Sequence, residues 1–175
     1  MISIRNERAA DVKAREALLD EAFGDSRTRK TSQRLRDGRL PAAGLSFIAA
    51  ERGRVVGTAR LWDIACGTGA AAVLLGPVAV ATDRRGRGIG ATLVHRAVEE
   101  ARRRGHAAIV LVGDAPYYSR FGFTAQKTGS LKLPGPFERH RLLALELIPG
   151  ALDGAKGLIR ATGRSLPQPA IASAA

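Results

Sequence analysis

The sequence predicts a single α/β domain built on a mixed central sheet flanked by helices. Two observations carry this reading. Residues 73–112 run strand, Arg/Gly-rich turn, helix, strand, which is a βαβ unit with parallel strands. Just before it, two apolar runs in LSFIAAERGRVVGTARLWDIA flank Glu51-Arg52-Gly53-Arg54, a turn signal that predicts an antiparallel hairpin. The composition agrees. The 175 residues, 45% hydrophobic and 25% charged, suit one globular domain whose core needs no metal or disulfide.

The elements follow in chain order. Ile2 and Ile4 alternate with polar neighbours, as a half-buried strand does. Val12, Leu18, Leu19, Ala22 and Phe23 keep a helical period over residues 9–23, with a start signal at Asp11. Residues 25–40 are polar and carry six basic side chains, and read as a loop or a short basic helix. The hairpin comes next. Val73–Val80 (VLLGPVAV) is apolar on both faces, as a central strand is. Pro77 cannot donate to a ladder, so Gly76-Pro77 predicts a bulge or a local splay.

Residues 91–104 form an amphipathic helix. Leu93, Val94, Ala97, Val98 and Ala101 make its apolar stripe, with Glu99, Glu100, Arg102 and Arg103 largely opposite. Gly105 ends it. Ala107–Val112 is a second buried strand, and Arg141–Ile148 a last one. From Pro149 the chain turns to Gly, Ala and Pro. This divides it into a domain over 1–150 and a C-terminal extension over 151–175, whose last ten residues read as disordered.

Composition excludes several functions. Cys66 is the only cysteine and the histidines (His95, His106, His140) are scattered, so neither a disulfide framework nor a metal site is expected. No apolar run approaches the roughly 20 residues of a membrane span. The N-terminus lacks the apolar core of a secretory signal, which predicts a cytoplasmic protein. The net charge of +12 rests on 23 arginines and only five lysines. Arginine favours planar, bidentate anions such as phosphate and carboxylate. With 5% aromatic residues the chain lacks the stacking platform of a single-strand nucleic-acid binder.

The strongest chemical signal is Thr82-Asp83-Arg84-Arg85-Gly86-Arg87-Gly88-Ile89-Gly90-Ala91, between a buried strand and the amphipathic helix. Alternate glycines let backbone approach a ligand closely. The first N–H groups of the helix have no internal partner and its dipole favours an anion. The expected ligand is a pyrophosphate. A Walker A loop is excluded, since it requires Gly-Lys-Ser/Thr. Gly86, Gly88 and Ala91 satisfy the Rossmann spacing. However, the loop lies mid-chain after a hairpin, and Asp114 falls beyond the place of the ribose-binding acid.

Arg85-Gly86-Arg87-Gly88-Ile89-Gly90 resembles the Arg/Gln-x-x-Gly-x-Gly/Ala signature of the GNAT N-acetyltransferases. The preceding LGPVAV looks like that family's splayed central strand. Asp114-Ala115-Pro116-Tyr117-Tyr118-Ser119-Arg120-Phe121-Gly122-Phe123 looks like its Tyr-x-x-x-Gly-Phe ending. With ELIPGALDGAKG near the C-terminus, the likeness is to the YhbS-like branch and covers about residues 1–160. The resemblance implies a GNAT fold with a splayed pair of parallel strands. It implies acetyl-CoA as co-substrate, its diphosphate on Arg85, Gly86, Arg87, Gly88, Ile89, Gly90 and Ala91, and its pantetheine arm on the backbone of Val78, Ala79 and Val80.

The implied reaction is direct acetyl transfer to a primary amine. Such transfer needs a neutral amine, a stabilised oxyanion and a proton for the leaving thiolate. The family's spacing gives Tyr118 the last task, and a backbone N–H at or near Val80 the second; Tyr117 is expected to point elsewhere. The general base stays open among Glu51, Asp63, Asp114 and a water chain. Gly113-Asp114 stands where family members often carry Asn, which puts any pantetheine contact there in doubt. Cys66 lacks the setting of a nucleophile. Trp62 and Phe47 read as core or acceptor-pocket wall. The alternative is a non-catalytic module on the same fold that binds acyl-CoA or nucleic acid.

The implied partners are a small-molecule or peptide amine and, as in many members of the resembled family, a second copy of the chain. Nucleic acid is disfavoured. A polyamine is too, because the protein is itself cationic. The basic 27–39 segment reads either as solvated surface, which the sequence favours, or as an acceptor entrance for acidic substrates.

Overall fold

The computed structural model describes residues 1–168. Eleven elements matter here: β1 (Ile2–Asn6), α1 (Val12–Phe23), β2 (Ser46–Glu51), β3 (Arg54–Cys66), β4 (Ala70–Val80), α2 (Ile89–Arg103), β5 (Ala108–Val112), α3 (Ala115–Tyr118), β6 (Leu131–Lys132), β7 (Leu142–Glu146) and β8 (Gly157–Ala161). The basic segment after α1 forms two 3-10 turns, Asp25–Arg29 and Thr31–Leu35. The sheet runs β1-β2-β3-β4-β5-β7, and β8 pairs with both β3 and β6. All neighbours in the main path are antiparallel except β4 and β5, which are parallel.

Alternation along β4 and β5 fills both faces, as the unbroken apolar runs require. Val73, Leu75, Ile109 and Leu111 join one buried cluster, while Ala72, Leu74, Ala108 and Val110 join another. The helix α2 packs on the face carrying Gly57. A Cβ on Gly57 would lie 2.9 Å from Leu93 Cδ1 and 3.2 Å from Ile89 Cγ2, so a side chain there would press on the helix. Arg60 alternates to the other face, where it and Arg15 of α1 share Glu7.

Two features depart from the composition reading. Glu100 lies on the buried side of α2, where Arg103 and Arg104 compensate its charge. The segment past Pro149 carries β8, and Leu152, Ala155 and Ile159 are buried in the second cluster. Of the ten residues expected to be disordered, 166–168 form no regular structure, and the rest lie outside the described residues.

The splay between β4 and β5 positions the site. Their parallel ladder is short, pairing Val73 with Ile109 and Leu74 with Val110. Opposite β3 the register slips between Ala59 and Leu61, because β4 carries one extra residue at Gly76-Pro77. Past that bulge β4 stays paired with β3 through Val78, Ala79 and Val80. Among the described residues its other edge has no strand partner there.

Candidate active site

Trp62 holds the bulge in place. Its indole Nε1 donates to the Gly76 carbonyl at 2.6 Å, a buried hydrogen bond between neighbouring strands. Trp62 and Phe47 are both core residues, 5% and 0% exposed. The sequence marked Trp62 as core or wall; its role as the pin of the bulge has no signature in the chain itself.

Beyond Val80 the backbone turns through a 3-10 turn, Thr82–Arg84, and enters α2. Gly86 and Gly88 have φ of 76° and 75°, and nothing lies within 4 Å of where their Cβ atoms would be. Glycine is therefore needed for backbone conformation, and the space above the loop is open. Among the described residues, none of the main-chain N–H groups from Gly86 to Ala91 donates a hydrogen bond. Six consecutive donors thus face outward at a helix start, the arrangement that binds an anion. The arginines contribute unequally. Arg84 and Arg87 both bind Glu51, at 2.6 and 3.3 Å, whereas Arg85 has no ion pair among the described residues.

Tyr118, at the end of α3, borders the gap between the splayed strands. It lines a cavity of about 830 Å³ together with Gly76, Pro77, Val78, Val112 and Asp114. A Cβ on Gly113 would lie 2.4 Å from Tyr118 Cε2, so the glycine makes room for the ring. Burial, reinforced by the neighbouring Tyr117, pushes the Tyr118 phenol up to about 12 against the opposing pull of Arg141. It therefore keeps its proton at neutral pH. Tyr117 points elsewhere: its hydroxyl is 3.2 Å from the Cβ position of Gly90, and its ring meets Tyr118 edge-on at 5.0 Å.

The three carboxylates considered as bases part company. Glu51 is engaged by Arg84 and Arg87, and the Arg84 contact holds its carboxyl below the usual range. Asp63 does not border the cavity, whereas Asp114 does. Glu138 also lines it, from a loop that sequence periodicity does not place. Cys66 is buried, and burial pushes its thiol up to about 11. Among the described residues no cluster of three or more metal-ligating side chains occurs, and no helix is long and apolar enough to cross a membrane.

The basic segment folds over the gap, where Arg34, Arg36 and Lys30 line the same cavity as Tyr118. Lys30 and Arg34 remain exposed, as the solvated reading expects, while Arg36 is half-buried, so the segment is solvated surface and cavity wall at once. Leu35, 2% exposed, anchors it in the second cluster. A lone leucine among charges gave too little pattern for the sequence to show this.

Comparison with known proteins places this architecture. The profile described as Acetyltransferase (GNAT) family matches residues 12–123. The relative named Uncharacterized N-acetyltransferase YhbS, from Escherichia coli strain K12, is 29% identical over 157 residues, which cover 89% of this chain and 93% of that protein. The crystal structure of YhbS from Escherichia coli in complex with CoA superposes with a TM-score of 0.78 at 30% identity, covering 91% of this chain and 89% of the other. An acetyltransferase from Brucella melitensis in complex with acetyl-CoA gives 0.64 at 26% identity, covering 96% and 92%.

Proposed function

This chain belongs to the GNAT family of acetyltransferases, and on that premise we propose that it moves the acetyl group of acetyl-CoA directly to a primary amine. The observation that carries the reading is the run of N–H groups from Gly86 to Ala91, unpaired among the described residues, beside an edge of β4 that is likewise unpaired among them. Both similar structures above hold CoA or acetyl-CoA, which supports the same ligand here. The residues present fit it. Gly86–Ala91 offer donors to a diphosphate, Arg85 and Arg87 add charge at the rim, and the backbone of Val78, Ala79 and Val80 offers an edge to an extended pantetheine arm.

Acetyl-CoA supplies the activated acyl carbon. The amine nitrogen bonds to that carbon, the carbon–sulfur bond breaks, and sulfur leaves with its electron pair. Tyr118 holds the proton that sulfur then takes. The transfer runs from a phenol near 12, and the same dry surroundings that raise the phenol also raise the thiol of the leaving group. A backbone N–H near Val80 offers a donor to the carbonyl oxygen as it gains charge. Asp114, Glu138 or water between them takes the proton that the amine loses. Cys66, buried and protonated, has no place in the route, which supports direct transfer. A cytoplasmic location belongs to the same reading and accords with the single, reduced cysteine.

Release of free thiol from acetyl-CoA across a panel of amines tests the proposal. Amine-dependent release is expected. Tight CoA binding with no turnover of any amine would favour the non-catalytic module instead.

A further inference from the structure

We propose that the acceptor amine carries an oxyanion, a carboxylate or a phosphate, and that Arg36, with Lys30 and Arg141, binds it on the cavity wall beside the splay. This rests on the acetyl-transfer reading above and adds its substrate class. The placement of Arg36 comes first. Its Nη1 lies 3.4 Å from the Cβ position of Gly76, at the bulge that opens the strands. Lys30, Arg36 and Arg141 line the same cavity as Tyr118 and Val78.

Compensation of charge comes second. Three nearby arginines are paired, Arg27 with Glu16 and Asp20, Arg15 with Glu7 and Glu16, and Arg60 with Glu7, whereas Arg34 on the cavity wall meets only the Pro134 carbonyl. Arg36 has no carboxylate partner among the described residues. Its Nε and Nη2 donate to Gln33 Oε1 at 3.2 and 3.0 Å, and its Nη1 donates to nothing among the described residues. Lys30 has no carboxylate partner there either; its ammonium rests 4.6 Å from the centre of the Phe23 ring. Arg141 has only Glu138, at 3.9 Å.

A half-buried guanidinium without a carboxylate partner is stabilised when an anionic ligand completes it. Burial lowers Arg36 to about 10. Burial also lowers Lys30, and Arg141 and Arg36 lower it further by repulsion. A bound anion relieves Arg36 and Lys30. The planar fork of arginine matches carboxylate and phosphate oxygens in pairs.

The coenzyme's diphosphate is not that anion. None of residues 85–91 lines this cavity, so the phosphate cradle and the Arg36 cluster are separate places. The volume of about 830 Å³ falls in the range of small-molecule sites.

The test compares matched acceptors that differ only in the anion: amino acids against their amides, and O-phosphoethanolamine against ethanolamine. With wild-type protein at low salt, kcat/KM should favour the anionic member by about tenfold or more, a difference of about 1.4 kcal/mol. Arg36→Gln and Lys30→Gln should each shrink that ratio without changing CoA affinity by calorimetry. Arg103→Gln, on the exposed side of α2, should leave it intact. A preference for O-phosphoethanolamine over every amino acid assigns the anion as phosphate, and the reverse as carboxylate.

A second arm needs no turnover. Acetate or inorganic phosphate should raise the melting midpoint of the CoA-loaded protein, and Arg36→Gln should abolish that rise. Equal use of acids and amides, or a preference untouched by both variants, overturns the proposal and leaves acetyl transfer standing. Protection by anions that depends on Arg36, with no amine turned over, does the opposite.

Discussion

Tyr118 and Gly113 work as one unit. The ring occupies the space that a Cβ at position 113 would take, and burial keeps the phenol protonated. Tyr118→Phe should therefore lower turnover by roughly 10²-fold or more while CoA affinity, read by calorimetry, stays put. Gly113→Ala should lower turnover in the same sense, because the ring must move. An unaltered rate in both variants removes Tyr118 from the mechanism. Tyr118 was singled out by its spacing to Gly122, and the structure puts it on the cavity wall. The need for Gly113 was not, because it arises from a ring five residues later folding back on it. Arg36 was hidden for a related reason: charge runs show no period, so nothing in the chain tells a cavity-lining arginine from a solvated one.

The helix α2 and the loop before it form the element on which the site depends. Its stripe of Leu93, Val94, Ala97 and Ala101 was readable, because an amphipathic helix writes its buried face at a fixed period. How closely it approaches the sheet was not readable, since that is set by Gly57 on a distant strand. Gly57→Val should cost about 1–3 kcal/mol by urea unfolding, as overpacked contacts do. CoA affinity should fall with it, because Ile89 and the N–H groups around it shift. Undiminished stability would contradict the close packing of α2 on β3.

The whole molecule joins a readable centre to a less readable rim. The hairpin, the βαβ unit and the splay at Gly76-Pro77 were legible, since each has local turn chemistry or an unbroken apolar run. The strand β8 was not. It is short, Gly-flanked and completed only by pairing with β3 and β6. Ion pairs tie the N-terminal end to this frame. Arg5 meets Asp11 through Nη1 at 2.6 Å and Nη2 at 2.8 Å, and that contact holds the Asp11 carboxyl down at about 2. An unfolded aspartate titrates near 3.9. The stability this pair contributes is therefore complete above about pH 5 and lost as pH falls through about 2. Asp11→Asn should flatten that part of the acid unfolding curve; an unchanged curve would contradict the assignment.

The central claim is that the main-chain N–H groups from Gly86 to Ala91 hold the diphosphate of the acyl carrier. Calorimetric titration of CoA into wild-type protein and Gly88→Glu tests it most directly, with melting midpoints measured to confirm that both are folded. Saturable binding to the wild type and none to the folded variant is the predicted result, because a side chain and a negative charge would enter the open space above Gly88. Equal affinity in the two proteins would contradict the claim.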